Sequence, residues 1–221
     1  KEIQALPGIA ETVKTFLGSG NLVYIQKDAL FLLGELSKDP NRLKEIQALP
    51  GIVETVKTFL GSQDLGVQRH ALFLLGELSS NPERLIEIQV LPGIVKEVNG
   101  LLGSQDLGVQ RNALFLLAQL SKDPERVKEI QTPDIVKKVI SLSGSKDPVV
   151  QGNALFLLAQ LSKDPKRLKE IQALPGIAVT VKTFLGSEDL GVQRNALLIL
   201  AQLSKDPKRL KEIQILPDIV K

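Results

Sequence analysis

The sequence predicts an all-α protein, a right-handed α-solenoid of about five repeats of ~42 residues with three helices in each. Three observations lead there. Proline recurs at fixed intervals: Pro7, Pro50, Pro92, Pro133, Pro175 and Pro217 step by 43, 42, 41, 42 and 42 residues. A second series, Pro40, Pro82, Pro124, Pro165 and Pro207, steps by 42, 42, 41 and 42. Whole phrases return with it, among them SKDPKRLKEIQ, VKTFLGS and DLGVQRNAL. No stretch alternates polar and apolar residues with period two, so nothing reads as a strand.

Each repeat spells three helices. Asp39-Pro40 opens a short one, since Asp caps a helix N-terminus and Pro suits its first position. That helix runs through NRLKEIQA and stops before Leu49-Pro50, because the residue preceding a proline avoids the α region. Pro50 is expected to open the second helix, PGIVETVKTFL, where Ile52, Val53, Val56 and Leu60 recur at helical spacing. Gly61 is expected to cap its C-terminus. Asp64 or Ser62 then caps the longest helix, LGVQRHALFLLGELSS. Asp123, Asp164 and Asp206 precede prolines and read as caps like Asp39.

A single repeat cannot bury its apolar face alone, so neighbours must stack into one continuous core. The expected organisation is one domain, 1–221, with repeats near 1–39, 40–81, 82–123, 124–164 and 165–206 and a partial repeat at 207–221. The extra residue of the first repeat lies in GSGNLVYIQKDAL, and the missing one of the fourth lies in EIQTPDIV.

Composition narrows the function classes. A net charge of +3 demands neither nucleic acid nor an anionic membrane as partner. Without cysteine there is no disulfide, thiolate nucleophile or thiolate metal site. No apolar run reaches membrane-spanning length. The cytoplasm is the default compartment for such a chain. His70 is the lone histidine and has no second His or Cys nearby, so no metal site is expected. Catalysis needs a unique constellation, and here nearly every polar residue is one of several copies. No catalytic residue and no cofactor are therefore expected.

A repeat of this length, with a proline at the second helix and a third helix of the form VQxxALxxLxxL, resembles the armadillo repeat. The two-helix HEAT repeat is the runner-up, and the short helix at NRLKEIQAL favours armadillo. The resemblance implies binding of partner proteins or extended peptides along a groove lined by third helices. In the peptide-binding branch that groove carries tryptophan and, one turn later, asparagine. Here the first position holds Phe31, Phe73, Phe115, Phe156 and Leu198, and the second holds Glu35, Glu77, Gln119, Gln160 and Gln202. The flat apolar residue is kept in four repeats and the asparagine in none.

The residues themselves mark the same face. On a helix that advances about 100° per residue, Val109, Ala113, Leu116, Leu117 and Leu120 share one side and Phe115 falls on the other. Residues four apart are neighbours, so the third helices present columns: Lys27-Phe31-Glu35, Arg69-Phe73-Glu77, Arg111-Phe115-Gln119, Gly152-Phe156-Gln160 and Arg194-Leu198-Gln202. Asn112, Asn153 and Asn195 share a register held by Asp28 and His70 in other repeats. The partner-binding set expected is Arg69, Phe73, Glu77, Arg111, Asn112, Phe115, Gln119, Asn153, Phe156, Gln160, Arg194, Asn195 and Gln202. Aromatic rings would give apolar contact, amides would bond a partner's backbone, and Arg over Phe would add cation–π contact. The alternative is that each ring packs on the neighbouring third helix with only its rim wet.

Other features read more plainly. Gly66, Gly108 and Gly191 sit in the first turn of a third helix, where a close approach of neighbouring backbones is expected. The alternating Lys, Arg and Glu of the first helices read as a solvated outer face. Two rival functions stand beside protein or peptide binding. One is a purely structural or engineered array, which near-identical repeats would fit, able to associate head to tail through ends that show no polar cap repeat. The other is nucleic-acid binding along a basic ridge of first helices.

Overall fold

A computed structural model describes residues 8–18, 20, 22–130, 132–174 and 176–215. These form fifteen α-helices, with no strand among the described residues. Packing divides the chain into two compact units, Lys1–Leu120 and Ser121–Lys221. The first unit holds α1 (Ile9–Thr15), α2 (Val23–Leu36), α3 (Pro40–Gln47), α4 (Ile52–Lys57), α5 (Leu65–Leu78), α6 (Pro82–Val90), α7 (Ile94–Leu101) and α8 (Leu107–Leu120). The second holds α9 (Pro124–Ile130), α10 (Pro133–Ser143), α11 (Pro148–Leu161), α12 (Pro165–Ala173), α13 (Ile177–Thr183), α14 (Leu190–Leu203) and α15 (Pro207–Ile215).

The three-helix grammar holds in both. Short first helices begin on Asp-Pro or Asn-Pro, and the cap side chains do the work expected of them. Asp39 accepts from the backbone N–H groups of Asn41 and Arg42, and Asn81 from those of Glu83 and Arg84. Asp123, Asp164 and Asp206 accept from N–H groups of their own first turns. Asp64, and not Ser62, caps α5, through the N–H of Val67. Ser62 supports it from outside: its hydroxyl accepts from the N–H of Asp64, and its carbonyl accepts from the Gln68 amide at 2.6 Å.

Two local expectations are corrected. Pro50 does not open α4, which begins at Ile52. Gly51 precedes it with φ +63°, a left-handed conformation that an L side chain resists, so Pro-Gly makes a turn first. Gly93 and Gly176 repeat this at φ +71° and +70°. Where Asp134 replaces the glycine and one residue is missing, the turn disappears and Pro133 itself starts α10 after Thr132. Nor does Gly61 cap in the left-handed form. The chain tightens into a 3₁₀ segment, Thr58–Gly61, before Ser62 turns extended. The proline marks at Pro7, Pro175 and Pro217 lie outside the described residues.

The core runs along the third helices. In the first unit α2 packs on α5 and α5 on α8, and in the second α11 packs on α14. Val109, Ala113, Leu116, Leu117 and Leu120 are all fully buried, as the helical wheel predicts. Leu114 and Ala118 are buried as well, so the apolar belt is wider than one face. Each such leucine contributes on the order of 1.5–3 kcal/mol of transfer free energy.

The first helices are less solvated than their composition implies. The side chains of Arg42, Arg84, Arg126, Arg167 and Arg209 lie mostly buried, each paired with the glutamate three residues on. Arg209 also donates from Nε to the Gln172 carbonyl at 2.6 Å, tying successive first helices together. The lysines between them stay exposed, so only part of the proposed basic ridge faces water.

Candidate functional site

The columns expected on the third helices form within each unit. In the first, Phe73 and Phe115 are half-buried, and the reason is a glycine on the preceding third helix. A Cβ added to Gly34 would lie 2.8 Å from Phe73 Cδ1, and one added to Gly76 would lie 2.9 Å from Phe115 Cδ1. One edge of each ring, Cδ1 and Cε1, therefore sits against bare backbone of its neighbour, and the ring is only partly covered. The packing reading of the aromatic row holds at these two positions, where each ring meets the neighbouring third helix and remains partly exposed. Phe31 is 48% exposed and meets the His70 imidazole, with ring centroids 5.1 Å apart and planes tilted by 59°. In the second unit Phe156 is half-buried and Leu198 exposed.

The basic row is held by the same stacking. Arg69 pairs with Asp106 at 3.3 Å. Its aliphatic stem lies over Gly108, and the stem of Lys27 lies over Gly66 in the same way. The glycines of DLGVQ thus admit a neighbouring side chain, where a neighbouring backbone was expected. At Gly191 a Cβ would meet only its own cap, Asp189. Tyr24 holds the equivalent register in α2 and stands 59% exposed. The cation over the Phe73 ring is Lys38 Nζ, 6.0 Å from the centroid, in place of the expected arginine. Arg111 is half-buried and Arg194 exposed.

The asparagines serve a role that sequence reasoning missed. Asn112 Nδ2 donates to the Arg69 carbonyl at 2.9 Å, and in the second unit Asn195 Nδ2 donates to the Gly152 carbonyl at 3.4 Å. These bonds run from one third helix to the next, 43 residues back. The clue was visible in sequence as one polar register shared by three repeats. Asn153 is half-buried in that register. His70, also there, is desolvated and faces the positive charges of Arg69 and Lys27, which together hold its pKa below the usual value.

The Glu/Gln row ends each column. Glu35 pairs with Lys38 at 2.6 Å. Gln160 accepts from Lys163, and Gln202 from Lys205, each at 2.6 Å. Glu77 differs. Burial raises its carboxyl pKa, and the field of Lys38 opposes that rise only in part. Gln119 is half-buried at the matching place in α8. Sequence reasoning also missed a cavity of about 290 Å³ beside α1 and α2, lined by Val13, Phe16, Tyr24, Ile25, Asp28, Ala29 and Leu32.

Among the described residues no three His, Cys, Asp or Glu side chains gather as metal ligands would, and no helix is long and apolar enough to cross a membrane.

No family model and no curated protein matches the sequence. Solved structures do. An engineered protein from the Northeast Structural Genomics Consortium is 28% identical, with 95% of this chain and 90% of the other covered, at a TM-score of 0.74. The designed armadillo repeat protein YIII(Dq)4CqI is 16% identical, over 91% of this chain and 86% of the other, at 0.76. A second designed armadillo repeat protein, in complex with the peptide (KR)4, is 16% identical over 91% and 85%, at 0.70. The three-helix grammar and these likenesses agree, and the chain has the armadillo repeat fold.

Proposed function

We propose that the chain is a non-enzymatic scaffold that holds an extended polypeptide segment across its third helices. The observation that carries this reading is the aromatic row: Phe73 and Phe115 each meet a neighbour's glycine along one edge and stay partly exposed. A partly exposed ring is a shelf for a partner's side chain, and the polar groups flanking it offer bonds to a partner's backbone. The contact set in the first unit is Arg69, Phe73, Glu77, Arg111, Phe115 and Gln119. In the second it is Phe156, Gln160, Arg194 and Gln202, with Asn153 at its edge. Asn112 and Asn195 keep successive third helices in register, which preserves the spacing of the shelves. A peptide bound to a designed protein of the same fold supports the reading.

A phage-displayed library of random dodecapeptides, selected on the immobilised chain, tests it. The strongest peptide, labelled and titrated by fluorescence anisotropy, should bind at least about tenfold more weakly to a Phe115→Ser variant, about 1.4 kcal/mol. Unchanged affinity in Phe115→Ser and Phe73→Ser, or a library without binders, overturns the proposal.

A further inference from the structure

Each first helix presents two outward positions, three residues apart, and their occupants change along the chain. α3 carries Asn41 and Lys44, and α6 carries Glu83 and Ile86. α9 carries Glu125 and Lys128, which neutralise each other across 2.6 Å. α12 and α15 carry lysine at both: Lys166 with Lys169, and Lys208 with Lys211. All four are exposed and make no hydrogen bond or ion pair among the described residues. Lys163 and Lys205, three residues before each pair, add to them. Each donates to a neutral amide, Gln160 or Gln202, where Lys38 meets the carboxylate of Glu35. The acids nearby are already engaged. Asp164 and Asp206 cap the two helices, and Glu170 and Glu212 pair with Arg167 and Arg209.

Charge is segregated accordingly. Lys1–Leu120 holds 11 lysines and arginines against 13 acids, and Ser121–Lys221 holds 17 against 12. The fold fixes the spacing of the lysine pairs: Arg209 Nε donates to the Gln172 carbonyl at 2.6 Å and so holds α15 against α12. A cleft of about 410 Å³, with Lys169 and Lys208 in its lining, runs between the two helices.

We infer that α12 and α15 form a docking surface for the phosphate backbone of a nucleic-acid duplex, bound without regard to base sequence. The unneutralised charges are all ammonium groups, compact point charges on flexible stems that suit phosphate oxygens. An acidic polypeptide would favour the planar fork of a guanidinium, which meets a carboxylate through two parallel bonds. Here both guanidinium groups are mostly buried against their own glutamates. Neither helix carries an aromatic residue on which a base could stack, so the contact is with the backbone alone.

The inference does not rest on peptide binding, since these lysines lie on first helices and their replacement leaves the third-helix residues intact. The whole chain is titrated by fluorescence anisotropy into two labelled DNA duplexes of unrelated sequence. Both should bind alike. Affinity should fall on the order of 10²–10³-fold between about 50 and about 200 mM salt, as counterion release from roughly four to six phosphates requires. A variant with Lys166→Gln, Lys169→Gln, Lys208→Gln and Lys211→Gln should bind at least about tenfold more weakly at the lower salt, with a shallower salt slope. A control with Lys44→Gln, Lys96→Gln, Lys137→Gln and Lys146→Gln alters four other exposed lysines and the same net charge, and should bind as the wild type does. Circular dichroism checks that each variant folds. If the first does not, the Lys166/Lys169 and Lys208/Lys211 pairs are replaced separately, and each should weaken binding. No binding at the lower salt, an equal loss in the control, or equally tight binding of a poly-glutamate of matched charge overturns the inference.

Discussion

The ring of Phe115 lies over the α-carbon of Gly76, so close that a Cβ there would come within 2.9 Å of it. This contact explains both residues. A glycine in the middle of a helix costs about 1 kcal/mol relative to alanine, and the space it frees lets a large ring join two third helices. Gly76→Ala gains helix propensity but forces the ring aside, and overpacking of this kind costs about 1–3 kcal/mol. We expect a net loss of stability in urea unfolding. Phe115→Leu should relieve part of it, so the two changes should be non-additive in a double-mutant cycle. Additive effects would remove the contact from the account.

The Asn112 bond to the Arg69 carbonyl should contribute an ordinary hydrogen bond's worth. Asn112→Ala is expected to lower stability by about 0.5–1.5 kcal/mol. Amide hydrogen exchange in α5 and α8 should accelerate with it. An unchanged midpoint and unchanged exchange would show that the asparagine register does not hold the helices together.

His70 gives the fold a pH dependence with a definite sign. Its folded pKa lies below the ordinary value of 6.5, through desolvation first and then the charges of Arg69 and Lys27, with Asp106 and Asp28 opposing. A depressed histidine stabilises the folded state above the unfolded pKa and stops doing so as pH falls through the folded one. The His70→Asn variant carries the residue found in this register at Asn112 and Asn195. It should lose the ring contact with Phe31, yet become progressively more stable than wild type as the pH drops below about 6.5. Parallel pH profiles for the two proteins would contradict this.

Gly51→Ala tests the turn before α4. At φ +63° an alanine pays roughly 1–2 kcal/mol for left-handed backbone. No compensating contact is available, since nothing lies within 4 Å of a Cβ at that site. Differential scanning calorimetry should show a lower Tm. Asp134→Ala, which follows a proline already at the helix start, should be much milder.

The sequence by itself determined the repeat, the three-helix grammar, the Asp caps that precede prolines and the residues that share each face. These depend on local rules: aspartate caps and helical periodicity act within a few residues and are read directly, whereas the Pro-Gly turn before α4 was read as a helix start. The columns of the candidate site were legible for the same reason, since residues four apart on a helix must be neighbours. Tertiary structure decided what lies between repeats. Phe115 is half-buried because Gly76, on another helix, has no side chain. Asn112 is committed to the Arg69 carbonyl because stacking brings 43-residue neighbours within hydrogen-bond reach. The arginines of the first helices pair with glutamates while mostly buried, and Arg209 also reaches the Gln172 carbonyl, a contact that composition cannot locate. Contacts across a stack depend on register and approach distance, and those are set by the whole array.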